Sequence, residues 1–418
     1  MTRQDVAPIQ FPVGISADRR RIVGADGRPI LMQGDAAWSL IANLTPDEAR
    51  DYLDDRKEKG FNTLIVNLIE NRFAKNAPNT IDGIAPFTTP GDFTTPNEEY
   101  MRRAEQVLDM ALERNFLVLF DVLYLGYPQD PKWHRAPEGW YDEVVANGPE
   151  RCGVWGRYLA ERFGHYPNFI WVIGGDRNPV KATPGVNAVA QALREGGVRD
   201  LFTIHVLPEC SPLDQPGIDW VDVNLTYTYE IVHKKLIGDW QRTPVYPTLL
   251  METTYEGEHD DSEQQIRRQM WWSVLCGGCG HVFGNNPIWL FDPGWREAMQ
   301  SPGSAAMRRW GDFFRALPWD GLEPDTDKKI AVGGLGEANG LDRVTTAATS
   351  DHRLVVSYLP VRRDLVIDCS TLPDEMRASW FEPATGRVLD EATPIRGHGT
   401  VTMRPPFDED SVLTLTSE

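Results

Sequence analysis

The stretch Phe169-Ile-Trp-Val-Ile-Gly-Gly-Asp176 decides the fold. Its unbroken apolar run leaves no polar face. It therefore reads as a strand covered on both sides, as in a parallel sheet flanked by helices. The run ends in two glycines and one acid. At the C-terminal end of such a strand an acid stands at the rim of the sheet, where α/β enzymes keep their chemistry. A second run, Tyr246-Pro-Thr-Leu-Leu-Met-Glu252, has the same form. Two acids presented from strands far apart in sequence suit glycosidic bond cleavage. One carboxyl protonates the leaving oxygen, and the other attacks the anomeric carbon or activates water.

Outward from these runs, strands and helices alternate. Strands are expected at 30–38, 63–69, 116–123, 169–176, 201–207, 220–226, 245–252 and 280–285. Helices are expected at 98–114, 151–163, 187–195, 233–240 and 263–275. A further helix opens at Thr45-Pro-Asp-Glu48, with Thr45 as N-cap, Pro46 at the first position and Glu48 closing a capping box, and it stops at Gly60. Asp26-Gly27 between short apolar stretches marks a hairpin before the first strand. This pattern is that of an α/β protein with a (β/α)8 TIM barrel over about 20–320. A doubly wound sheet would want fewer strands and a glycine-rich phosphate turn, and neither G-x-G-x-x-G nor G-x-x-x-x-G-K-[ST] occurs. After Gly321 the texture changes to short β-rich runs at 329–332, 343–349, 354–359, 364–368, 378–382, 400–403 and 411–415. Turns such as Pro383-Ala-Thr-Gly386 and Arg396-Gly-His-Gly399 separate them. This reads as a small all-β sandwich. Two domains are expected, a catalytic barrel with its hairpin over 1–320 and a sandwich over 321–418.

Bulk properties narrow the partners. A formal net charge of -19 over 418 residues disfavours nucleic acid and anionic membrane, which reward positive charge. No apolar run approaches the roughly 18 residues of a membrane span. Residues 1–11 lack the apolar core of a signal peptide, which fits a cytoplasmic protein. Five cysteines, at 152, 210, 276, 279 and 369, form no disulfide framework. Cys276-Gly-Gly-Cys279 is a lone C-x-x-C that reads as small core residues. No metal-ligand clustering and no cofactor motif is visible. The 14 tryptophans and 12 tyrosines include candidates for stacking on a sugar ring, though most belong to the core.

Longer stretches carry a family resemblance. They are Gly34-Asp35-Ala-Ala-Trp38, Tyr52-Leu-Asp-Asp-Arg56-Lys-Glu-Lys-Gly60-Phe61-Asn62, Trp171-Val-Ile-Gly-Gly-Asp176-Arg177 and Glu252-Thr-Thr-Tyr255-Glu256-Gly257. Over about 12–320 the chain resembles the apiosidase-like barrels, the DUF4038 group that includes glycoside hydrolase family 140. The tail resembles the collagen-binding-type β-domain that often follows such barrels. The resemblance implies a retaining, exo-acting glycoside hydrolase on a terminal neutral sugar, with Asp176 as acid/base and Glu252 as nucleophile. The same arrangement resembles the large clan of retaining barrel glycosidases, except that Gly-Asp176 stands where that clan usually has Asn-Glu. The chain departs from the apiosidase-like pattern at Gly284-Asn285-Asn286-Pro287-Ile288-Trp289 and at Tyr227-Thr-Tyr229, both where sugar hydroxyls would be read.

Around the pair, Asp35 and Asn67 are candidates to bind hydroxyls, although Asp35 could equally be a buried strut. Trp38 is a stacking candidate or core. Asp121, Tyr124, Arg177 and Asn178 sit at further strand ends, as do Tyr227 and Tyr255. His205 lies inside strand five, as a satisfied barrel histidine or as a group orienting Glu252. Glu256 competes for the nucleophile role or contacts substrate. Asn285 and Trp289 belong to loop eight, where Trp289 is a wall candidate. A rival reading is a carbohydrate-binding or adhesive protein that works through its β-domain. Another is a barrel lyase or isomerase, which would want a metal, a lysine or paired histidines at the mouth.

Overall fold

Eight apolar runs zip into one parallel sheet. A computed structural model describes residues 6–128, 138–259, 261–390, 394–396 and 399–417. Trp133 and His134, in the long loop expected over 126–148, and the Gly397-His398 part of the expected turn lie outside the described residues. The strands are β1 (Met32–Ala36), β2 (Thr63–Asn67), β3 (Leu117–Asp121), β4 (Phe169–Val172), β5 (Leu201–Thr203), β6 (Asn224–Tyr227), β7 (Thr248–Glu252) and β8 (Gly280–Phe283). They pair in the order β5-β4-β3-β2-β1-β8-β7-β6. The seam between β5 and β6 carries separate hydrogen bonds: Asp222 N–H to the Phe202 carbonyl at 2.8 Å and Thr203 Oγ1 to the Val223 carbonyl at 2.7 Å. The result is a nearly closed TIM-like barrel.

Alternation along each strand sorts the side chains. Met32, Ile65, Leu117, Leu119, Ile170, Val172, Leu225, Leu249, Met251 and Val282 share one buried cluster inside the barrel. Their sequence neighbours, such as Leu64, Val118, Trp171 and Leu250, join the cluster that meets the helices. The strands end earlier than the apolar runs suggest, because the chain leaves the ladder to form the rim.

The helices are α1 (Pro46–Glu58), α2 (Glu98–Glu113), α3 (Tyr141–Phe163), α4 (Thr183–Glu195), α5 (Val232–Trp240), α6 (Glu263–Leu275) and α7 (Pro302–Arg315), with short turns besides. The Thr45–Glu48 capping box forms as its sequence requires. Helix α3 starts at Tyr141, earlier than expected, and bends at Gly148, whose φ of 64° precedes Pro149. Helix α7 is absent from the sequence expectations. Gly303 and Gly311 interrupt its apolar stripe, yet Ser301 caps it. At Gly311 a Cβ would stand 2.1 Å from Gln33 Oε1, so helix and barrel floor approach too closely for a side chain.

The β-rich tail forms a seven-stranded and a three-stranded antiparallel sheet. The smaller sheet pairs Leu365–Asp368 with Ala331–Gly333 and Thr400–Met403. Val355, Trp380, Leu413, Ile367 and Met403 lie in the core between the sheets. Three short strands that the runs did not suggest complete the larger sheet: Glu323–Pro324, Val388–Asp390 and Ile395–Arg396. One face of the tail continues the barrel's outer core, with Trp271 of α6 stacked on Tyr358 at 5.9 Å and 10°. All five cysteines are free, and Cys276 and Cys279 are buried core residues.

Candidate active site

Asp176 stands just beyond β4 on a turn that only glycines permit. Gly174 has a φ of 118°. At Gly175 a Cβ would lie 2.3 Å from the Tyr124 ring. The turn is pinned by Gly126 N–H on the Gly175 carbonyl and by His205 N–H on the Gly174 carbonyl, each at 3.0 Å. Asp176 itself sits at a φ of 53°, and its Oδ2 accepts from the Tyr124 hydroxyl at 2.6 Å.

Glu252 is the last residue of β7. Simple alternation would aim it toward the helices with Leu250. The register of β6 and β7 shifts instead, from Thr226↔Leu250 to Tyr227↔Glu252. Irregularities of this kind re-aim a side chain at a sheet rim. Glu252 faces the barrel mouth, where its Oε1 accepts from the Tyr229 hydroxyl at 3.1 Å. Tyr229 was not among the expected site residues. The signal was present, since Tyr227 and Tyr229 are two apart and so share a side of an extended chain.

His205 continues the inward face of β5. Its Nδ1 lies 3.5 Å from Asp176 Oδ1 and its Nε2 3.6 Å from Glu252 Oε2. Donor atoms of Asp176, His205 and Glu252 all fall within 4.8 Å of one another. This corrects the expectation that no metal-ligand clustering exists. The two ring nitrogens face different carboxyls, however. The ring separates the acids rather than aiming one lone pair at a point they share.

Burial dominates the electrostatics. It raises the Glu252 carboxyl well above the usual range, the Asp176 charge adds to the rise, and the Tyr229 and Tyr227 hydroxyls oppose it. Burial pushes His205 down to about 3, so the ring is neutral at neutral pH. Burial also pushes Asp121 up to about 8, helped by the charges of Asp176 and Glu70 and opposed by the N–H groups of Leu123 and Gly174.

That last shift has a measurable consequence. Between about pH 4 and pH 8 the folded protein holds a proton on Asp121 that the unfolded chain has lost. The Asp121 contribution to stability therefore falls as pH rises through this window. Asp121→Asn removes the dependence. It should raise the melting temperature by several degrees at pH 8 and by much less at pH 4, as read by calorimetry at both values. An equal shift at the two pH values would contradict the assignment.

The remaining expected residues divide. Asn67 and Asp121 are register partners on β2 and β3, both inward, and among the described residues no hydrogen bond reaches either end of the Asn67 amide or Asp121 Oδ2. Trp38, Tyr124, Tyr227 and Tyr255 build an aromatic lining. Trp38 Nε1 donates to the Tyr255 hydroxyl at 3.1 Å, and its ring lies 5.7 Å from His205 at 26°. Trp289 packs edge-on against Phe73 at 4.9 Å and donates to Glu258 at 2.8 Å, which makes it a wall. Phe73 had no sequence signal.

Five residues serve other ends. Asp35 points outward to α1, accepting from the Tyr52 hydroxyl at 2.6 Å and from Arg56 at 3.3 Å. It is a buried strut, which corrects the sugar-binding expectation. Its position follows from alternation with the inward Ala36. Glu256 accepts from Gly303 N–H at the start of α7 at 2.7 Å and from Asn285 Nδ2 at 2.8 Å, so this pair ties loop eight to that helix. Asn178 bonds Cys210 Sγ and the Leu207 N–H, joining two rim loops. Arg177 stacks on Tyr141 at 3.5 Å from the ring centroid.

A parallel eight-stranded barrel with two acids at the rims of β4 and β7 offers the two carboxyls that glycosidic bond cleavage needs. A solved structure described as a glycoside hydrolase superposes with a TM-score of 0.83 at 21% identity, covering 98% of this chain and 99% of that one. A glycoside hydrolase family 5 protein from Bacteroides vulgatus ATCC 8482 matches equally, with 0.83, 21%, 98% and 95%. The endo-1,4-beta-mannanase from Rhizomucor miehei gives 0.52 at 11% identity, over 71% of this chain and 99% of that one. At these identities the likeness concerns the fold. No curated protein matches the chain. The family comes from the sequence model described as "Apiosidase-like, catalytic domain", which matches residues 16–320. The chain belongs to this apiosidase-like family, and it is a glycoside hydrolase. Residues 327–416 match the model described as "Putative collagen-binding domain of a collagenase". Among the described residues no helix is long and apolar enough to cross a membrane.

Proposed function

We propose that the protein is a retaining, exo-acting glycosidase that releases a terminal neutral sugar, with Glu252 as nucleophile and Asp176 as acid/base. The observation that carries this reading is the spacing of the two acids. Their facing oxygens lie within 4.8 Å. Retaining enzymes keep the carboxyls about 5–5.5 Å apart, whereas inverting enzymes leave about 6.5–9.5 Å for a water molecule. Two close acids in a buried site cannot both ionise, so the pair holds one proton. In the free site burial and the Asp176 charge raise Glu252, and the Tyr229 and Tyr227 hydroxyls oppose that rise. The retaining roles require the proton on Asp176 when substrate is bound.

In the first step a Glu252 oxygen attacks the anomeric carbon while Asp176 protonates the departing oxygen. In the second, Asp176 takes a proton from water, and that water displaces Glu252. The exo action rests on family membership. The chain departs from the family pattern at Tyr227-Thr-Tyr229 and at Asn285-Asn286, so the sugar and its ring form are left to the substrate panel.

The test is proton NMR of the first-formed product across a panel of aryl furanosides and pyranosides. The anomer should keep the configuration of the substrate. A first product of opposite configuration would overturn the retaining assignment.

A further inference from the structure

We infer that His205 is a positioning residue that bridges the two acids and opposes their joint ionisation. The inference rests on the reading of Asp176 and Glu252 given above. A neutral imidazole has one N–H and one lone pair. Here the two nitrogens face the two carboxyls, at 3.5 and 3.6 Å, and make no other hydrogen bond. A ring in this place can satisfy one carboxylate with its N–H and one carboxylic acid with its lone pair. It cannot serve two carboxylates, because only one nitrogen donates. The arrangement therefore opposes ionisation of both acids at once and accepts a pair that holds a proton.

Several contacts keep the ring in this plane. Trp38 stacks on one side, and the Tyr227 ring lies 4.7 Å away at 34°. The backbone N–H of His205 holds the Gly174 carbonyl, so the same residue braces the turn that presents Asp176. The side chain is fully buried, and burial disfavours the imidazolium that would give it two donors. The present distances exceed a hydrogen bond by a few tenths of an ångström. Such contacts are often long without substrate and tighten when it binds. The other titratable groups facing the trio are the hydroxyls of Tyr124, Tyr227, Tyr229 and Tyr255 and the carboxyls of Asp121 and Glu258.

The test compares His205→Phe, which keeps a flat ring in the stack, with His205→Gln, which keeps a donor and an acceptor. His205→Phe should lose on the order of 10–100-fold in kcat with KM within about threefold. Its acidic pH–rate limb should move upward, because the pair loses a donor that favours its ionised member. His205→Gln should recover part of the rate and of the limb. Wild-type rate and pH profile in His205→Phe would overturn the proposal, as would equal profiles for the two variants. Nitrogen-15 NMR of the wild-type protein gives an independent reading. A neutral ring is expected at pH 6, and an imidazolium would overturn the proposal whatever the variants do. Asp176→Asn and Glu252→Gln run beside them keep the two levels apart. Normal activity in either removes the carboxyl assignment itself, whereas inactivity in both with a normal His205→Phe removes only the histidine's role.

Discussion

Glu252→Gln should cut turnover at least a thousandfold while leaving the melting temperature within a few degrees of wild type. The amide keeps the shape of the carboxylate and can still accept from Tyr229, whose hydroxyl lies 3.1 Å from Glu252 Oε1. What it loses is the anionic oxygen that forms the glycosyl-enzyme bond. A factor of a thousand corresponds to about 4 kcal/mol of activation free energy, a reasonable loss for a deleted covalent step. Asp176→Asn should behave differently, and the difference identifies the roles. It abolishes proton donation, so substrates with poor leaving groups should slow by about 10²–10⁴-fold. An aryl glycoside with a strongly acidic phenol needs little protonation, so its first step should be largely spared. Azide should rescue the truncated Glu252→Ala with an inverted glycosyl azide. With Asp176→Ala it should give a retained one, by attacking the glycosyl-enzyme. Equal leaving-group dependence in both carboxyl variants, or near-normal turnover in either, would remove the assignment.

The barrel was legible because its strands are apolar on both faces and end in polar residues. Runs such as 169–173 have no competing reading at that length. Helix α7 was not legible, since Gly303 and Gly311 break its stripe, and the need for Gly311 arises only where α7 meets Gln33. Asp176 and Glu252 stood out as lone acids at strand ends, and the structure places their oxygens within 4.8 Å. The route by which Glu252 turns inward was hidden, because a register shift against β6 belongs to the pair of strands and not to either sequence. Asp35 was misread for the opposite reason. Its strand-end position matched a site residue, but alternation had already assigned it to the outer face, where Tyr52 and Arg56 hold it. The pairing of His205 with both acids depends on three strands at once and has no signature in any one of them.

Arg267→Met should be the most damaging single change away from the barrel mouth. Arg267 lies on α6, and its guanidinium donates to both oxygens of Asp410 at 2.9–3.2 Å. The Asp410 side chain is fully buried and that of Arg267 is 4% exposed. Tyr358 donates to the same carboxylate at 3.1 Å. The pair therefore sits at the joint between barrel and sandwich, beside the Trp271–Tyr358 stack. Removing one partner of a buried ion pair leaves an uncompensated charge and costs about 3–5 kcal/mol. Arg267→Met leaves the buried Asp410 carboxyl without its ion-pair partner, with the Tyr358 hydroxyl still donating to it. Asp410→Asn should cost less, because Arg267 retains Glu409 at 2.8 Å and Glu263 at 3.8 Å, both exposed to water. The double variant Arg267→Met with Asp410→Leu should recover most of the loss, since apolar replacement of a whole buried pair is often neutral. Limited proteolysis supplies the second readout. If the joint holds the two parts together, Arg267→Met should open the segment around 321–330 to cleavage while the barrel core stays resistant. This outcome also bears on the tail's purpose. A module that bound carbohydrate or protein on its own would tolerate separation from the barrel, whereas a brace would not. The Trp272 indole donating to the Arg343 carbonyl and Arg309 donating to the Pro383 carbonyl add to the same joint. Loss of glycosidase activity in step with loss of the joint would show that the sandwich acts by holding α6 and α7, and through them β7, in place.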